Sequence, residues 1–275
     1  MAFVLEIRRA AELAVVLAVS TAIFSQAATQ HARVELLSRQ AAVKPGSDLQ
    51  VGVHFMLEKG WHIYWINPGD SGQPPSFKWQ LPPGFSAGEI QWPLPERLQP
   101  SKELVDYGYD NEVLLPVTIR APSAIAGRSA EFVADAKWLI CREVCIPEHA
   151  SLRLTLPVSR TTDTDQQPTQ LFAKTDKLIP QPLPRAWNAS VTSGKDDFIL
   201  TVRAGKPITQ AEFFPLDAGQ IDNPAPQKLQ STAFGARITL KKSDLLIKPT
   251  ASLRGVLAIP GRPYRIEAPV RQPIQ

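Results

Sequence analysis

Cysteine is nearly missing from this sequence: there are two in 275 residues, Cys141 and Cys145. So sparse a set excludes the disulfide-dense scaffold that small secreted domains use in place of a large core. Histidine is scarce too, with only His31, His54, His62 and His149. There is no Lys/Arg-rich run and the net charge is only +4, so the electrostatic footprint of a nucleic-acid-binding protein is lacking. Glycine, at 15, is outnumbered by 26 prolines. That much proline excludes an architecture of long helices and favours short segments joined by stiff turns. Beyond Phe24 no apolar run reaches the length of about 20 residues that a bilayer span needs.

What is present is a hydrophobic content of 44%, enough for a sizeable core, on a chain long enough for two ordinary domains. Residues 1–27 read as a secretory signal. Arg8 and Arg9 form its basic start, Leu13–Phe24 its apolar stretch, and Ser25-Gln26-Ala27 supplies small residues at the cleavage positions. The remainder is therefore expected to be exported, with no lipid contact beyond the signal. In an oxidising compartment, two cysteines three residues apart are expected to be bonded to each other.

Period-2 alternation dominates the chain. Leu49, Val51, Val53, Phe55 and Leu57 alternate with more polar neighbours, as do Phe132, Ala134, Ala136 and Trp138, and then Leu152, Leu154 and Leu156. Val113–Ile119 is a more continuous strand whose Pro116 suggests an edge or a bulge. Turn clusters punctuate these runs at Asn67–Gly72, Leu81–Gly84 and Ala126–Arg128. The pattern predicts an all-β, antiparallel sandwich over residues 33–158. A polar linker with a short helix around Leu171–Ile179 follows, over 159–185, and the prolines at 180, 182 and 184 stop the helix. A second, smaller β-rich domain is predicted over 186–270; it contains neither cysteine nor histidine.

The segment from Trp138 to Pro147 is the most informative about chemistry. It lies between two strand patterns, so Arg142, Glu143 and Val144 can form a hairpin tip that sets Cys141 opposite Cys145. Opposed residues on antiparallel strands have Cα atoms about 4.5–5.5 Å apart, within the range a disulfide spans. A loop so short contributes only about 2 kcal/mol when closed, so the spacing favours exchange chemistry over a stabilising staple. Lys137 and Arg142 favour a thiolate, whereas Glu143 and Glu148 oppose it. Two other readings stay open. Cys141, Cys145 and His149 offer a soft-metal site suited to Cu(I), as in a copper-handling protein. The aromatic cluster Trp61, Tyr64, Trp65, Phe77, Trp79, Phe85 and Trp92 suits either a core or a non-catalytic binding surface. Val105–Asn111, with Asp106, Tyr107 and Tyr109, reads as a loop able to cover a reactive disulfide.

Three stretches are similar to the periplasmic N-terminal region of the DsbD/ScsB thiol:disulfide interchange proteins. They are Gly60–Trp65 with Asn67–Gly72, then Tyr107–Tyr109 leading into Leu115-Pro116-Val117, then Trp138–Pro147. Phe213–Pro215 and Ile221–Asn223 are similar to the second β-domain of the ScsB-like branch, which also matches the three-residue gap between the cysteines. The resemblance implies an immunoglobulin-like sandwich in the periplasm, working without a cofactor. Its partners would be thioredoxin-like protein domains and a membrane electron-transfer protein. It implies Cys141 and Cys145 as the catalytic pair, with Cys145 forming the mixed disulfides, and a shielding loop at Asp106, Tyr107 and Tyr109. The family continues into a membrane electron-transfer domain and usually a thioredoxin-like one. This sequence ends at Gln275 without either, so a fragment or a separate reductant is expected.

Overall fold

Alternating burial along the strands builds two sheets that face each other over residues 26–158. In the computed structural model, residues 23–24, 26–160 and 166–271 are described. The predicted secretory signal lies mostly outside them. The first sheet runs, in order, through Ile23–Phe24, Cys145–Pro157, Ser129–Cys141, His62–Gly69, Asp106–Asp110 and Glu96–Leu98, with Ser76–Gln80 also paired to Ser129–Cys141. The second runs through Gln26–Ala28, Ala32–Ser38, Asp48–Leu57, Glu112–Arg120 and Ser86–Ile90. Ala150, Leu152, Leu154 and Leu156 point inward while Ser151 and Arg153 stay exposed, so one face of this strand meets the core. Val51, Val53 and Phe55 on the opposite sheet close the same core. The result is an immunoglobulin-like antiparallel sandwich.

Pro116 lies in an internal strand rather than at an edge, opposite Gly52. The missing N–H is tolerated because the ladder to Ser86–Ile90 begins only at Val117 and shifts register directly after it. The linker helix spans Gln166–Asp176 and begins earlier than the apolar spacing suggested. Pro168 stands in its first turn, where no intrahelical N–H is required. The helix buries Phe172 against Gly52, where an added Cβ would meet the rings and methyls of Phe172 and Leu114.

A third sheet forms the second β-domain. Its order is Glu212–Pro215, Ser252–Ile259, Arg262–Arg271, Asn188–Ser193, Asp197–Arg203, Gly235–Lys241 and Lys228–Thr232, with Gln181–Pro182 paired to Arg262–Arg271. Phe198, Leu200, Ile238, Leu253 and Leu257 centre a separate core. Phe214 and Val256 do not join it; they pack into the core of the first domain.

Candidate functional site

The strands Ser129–Cys141 and Cys145–Pro157 pair without a break from Ser129 opposite Pro157 to Cys141 opposite Cys145. Uniform register over so long a hairpin delivers the two cysteines to its end as neighbours. Their sulfurs are bonded, with Cα atoms 4.1 Å apart. The three-residue tip is closed by a hydrogen bond from Arg142 N–H to the Val144 carbonyl, at 3.2 Å. Burial is unequal across the bond. Cys141 is 2% exposed, whereas Cys145 is exposed and Val144 beside it is 65% exposed.

The strand His62–Gly69 lies alongside and completes the site. His62 is paired with Cys141 across the sheet. Tyr64, two residues on and hence on the same face, brings its hydroxyl to 3.5 Å from Cys145 Sγ. Its ring meets His62 edge-on at 5.2 Å. Behind them lies Asp106, 1% exposed, whose carboxylate accepts hydrogen bonds from Ser71 N–H at 3.0 Å and Ser71 Oγ at 2.8 Å. His62 Nε2 stands 3.9 Å from the same carboxylate. At the tip, the Arg142 guanidinium sits over Trp61 at 5.3 Å, and Trp61 stacks on His31 at 3.7 Å.

Burial sets the charges here. It lowers the His62 pKa below 6.5 despite the opposing pull of Asp106 and Asp110, so the imidazole is neutral at neutral pH. It raises that of Asp106, against the hydrogen bonds from Ser71, and it raises that of Tyr64, keeping the phenol protonated. A protonated hydroxyl beside Cys145 can donate to the sulfur when the bond is reduced, which favours the thiolate.

Asp106, Tyr107 and Tyr109 are not on a mobile loop. They form the strand Asp106–Asp110, inserted between His62–Gly69 and Glu96–Leu98, and all three are buried. Gly108 serves close approach of strands: a Cβ there would fall 2.2 Å from the Ile63 carbonyl oxygen. The Tyr107 hydroxyl donates to Asn223 and that of Tyr109 to the Pro93 carbonyl, at 3.0 and 2.8 Å. A side chain that does reach the disulfide is Tyr64.

His149 does not converge on the cysteines. It is exposed and four residues along an extended strand from Cys145, about 13 Å away at the usual rise of about 3.3 Å per residue. Trp61, Tyr64 and Trp65 are buried, and Phe77, Trp79, Phe85 and Trp92 pack partly buried against the core. These aromatics are mainly structural. Sequence reasoning missed His62 and Ser71 as parts of the site. The period-2 spacing of His62 and Tyr64 put them on one face, but nothing local says that this face lies beside the hairpin tip.

The family described as thiol:disulfide interchange protein DsbD, N-terminal, matches residues 33–157, which include both cysteines, His62, Tyr64 and Asp106. Curated proteins give no match. Among solved structures, the N-terminal periplasmic domain of ScsB from Proteus mirabilis is similar, with a TM-score of 0.64 at 17% identity. The alignment covers 89% of this chain and 95% of that one, so the likeness in fold extends through the second β-domain. Residues 33–157, with the Cys141–Cys145 pair at the hairpin tip, are thus similar to the N-terminal region of the DsbD thiol:disulfide interchange proteins.

Proposed function

We propose that this protein relays electrons in the periplasm by dithiol–disulfide exchange at Cys141 and Cys145. The observation that carries the reading is the asymmetry of the bonded pair, with Cys145 exposed at the hairpin tip and Cys141 buried behind it. In the reduced protein the Cys145 thiolate attacks a disulfide of a periplasmic partner. A bond forms between Cys145 Sγ and one partner sulfur, the partner disulfide breaks, and the departing thiolate takes a proton. Cys141, deprotonated, then attacks Cys145 Sγ; the mixed disulfide breaks and the second partner thiolate leaves. Two electrons have passed to the partner and the pair is oxidised. A reduced thioredoxin-like domain, itself supplied by a membrane electron-transfer protein, restores the dithiol by the reverse sequence. Placement in the periplasm is supported by the likeness to a periplasmic domain.

Trapping in cells tests the assignment of roles. Cys141→Ser leaves an attacking thiolate with nothing to resolve the adduct, so mixed disulfides with partners should accumulate on non-reducing gels. Cys145→Ser leaves only the buried thiol and should trap far less. Equal trapping by the two variants would overturn the division of roles. No trapping by either, with normal function of the double variant, would reduce the bond to a staple.

A further inference from the structure

Exchange at Cys141 and Cys145 leaves the second β-domain without a task, yet several of its contacts with the first domain fall on the strand His62–Gly69, the loop after it and the strand Asp106–Asp110. The central residue is Asn223, 8% exposed. Its Nδ2 donates to Asp70 Oδ1 at 2.8 Å and its Oδ1 accepts from the Tyr107 hydroxyl at 3.0 Å. Its carbonyl accepts from the Arg97 guanidinium. Nearby, the Pro215 carbonyl accepts from Asn67 Nδ2 at 2.8 Å, and Phe214 lies edge-on to Trp65 and Tyr107. Most of these partners lie on the strand that carries Tyr64 or on the loop that follows it.

That loop leads back to the disulfide. Asp70, held by Asn223 through one oxygen, accepts the Val105 N–H through the other at 2.8 Å. Ser71 binds the Asp106 carboxylate. Gly72 presses on the hydroxyl end of the Tyr64 ring so closely that a Cβ would fall 2.1 Å from Tyr64 Cζ. The Tyr64 hydroxyl in turn reaches Cys145 Sγ. From Asn223 through Asp70–Gly72 to Tyr64, each step is a hydrogen bond, a peptide link or a van der Waals contact.

We propose that Asn223 is a positioning residue for exchange: the second β-domain holds the Asp70–Gly72 loop, which holds the Tyr64 hydroxyl on Cys145. The inference rests on the exchange reading and gives the second domain its part in it. A hydrogen bond to sulfur stabilises the thiolate over the thiol and weakens steeply as the donor is displaced or turned. Loosening the loop at Asn223 therefore acts on the Cys145 thiolate from the other domain, through the loop and Tyr64.

The test is the pH profile of iodoacetamide alkylation on the full chain, in a Cys141→Ser background where Cys145 is the single thiol. Tyr64→Phe should move the profile to higher pH. Asn223→Asp places a carboxylate against Asp70 and should move it the same way, with alkylation about threefold slower at neutral pH. Tyr64→Phe combined with Asn223→Asp should show no further change. Asp70→Asn combined with Asn223→Asp exchanges donor and acceptor across the same contact and should restore the original profile. Asn223→Ser, with the same expected direction, serves if Asn223→Asp does not fold. An unchanged profile for the Asn223 variants, additive effects with Tyr64→Phe, or no effect of Tyr64→Phe would each overturn the proposal. These measurements need no partner, so they fail or succeed independently of trapping in cells.

Discussion

At Gly72 a single methyl group decides whether Tyr64 keeps its place. The residue has φ +79°, and its Cα lies so near the Tyr64 ring that a Cβ cannot fit without displacing it. Gly72→Ala is expected to lower stability by about 1–3 kcal/mol in denaturant titration, from backbone strain and the clash together. His62 makes a second residue-scale prediction. Burial lowers its pKa below 6.5, so between its folded value and 6.5 the unfolded chain binds a proton that the folded chain refuses. Its contribution to stability is complete above 6.5 and is lost as pH falls through that window. Asp106 acts with the opposite sign, since burial raises its carboxyl above 3.8 and ionisation on raising the pH through that range destabilises the fold. His62→Gln should therefore flatten the fall in melting temperature below pH 6.5, measured against the parent protein. An equal fall in both would mean that His62 is charged in the folded state.

The cysteine hairpin does not depend on its disulfide. Its pairs run in continuous register from the Ser129 end to the tip, with Phe132, Ala134, Ala136, Leu152 and Leu154 buried along it. The bond closes only the short loop at the end. Reduction should accordingly shift the unfolding free energy by about 2 kcal/mol or less, with the far-ultraviolet signature of the strands retained. Loss of the fold on reduction would instead assign the bond a structural role. The neighbouring strand Asp106–Asp110 shows how an element can look like a loop. Its two aspartates and central glycine are poor strand formers locally. Ser71 satisfies the buried Asp106, and Gly108 lets two backbones approach where a side chain would collide.

For the molecule as a whole, Phe214, like Val256, belongs to one domain in sequence and to the other in packing. It leaves a strand of the third sheet and enters the first core beside Trp65 and Tyr107. Phe214→Ala should cost about 3–5 kcal/mol, the range for deleting a buried aromatic. Calorimetry of the parent protein should show one cooperative transition, because the interface couples both domains. In Phe214→Ala the transition should broaden or split. A sharp single transition at a lower temperature would mean that the remaining polar contacts suffice for coupling.

The sequence by itself determined the all-β class, several of the long strands and the closeness of the two cysteines. These are local properties: alternation over Leu49–Leu57, Phe132–Trp138 and Leu152–Leu156 says which face is buried, and a three-residue gap says that two thiols can meet. The same local reading placed Asp106, Tyr107 and Tyr109 on a loop, because the partners that bury them are remote. Only the tertiary structure decided what surrounds the disulfide. Tyr64 reaches Cys145 across 81 positions of chain, and Asn223 reaches Asp70 across 153. Pairings at such separations follow from how strands are ordered in a sheet and how one domain docks on another. Residue spacing carries no record of either, because a buried strand has the same local pattern whichever neighbour it finds.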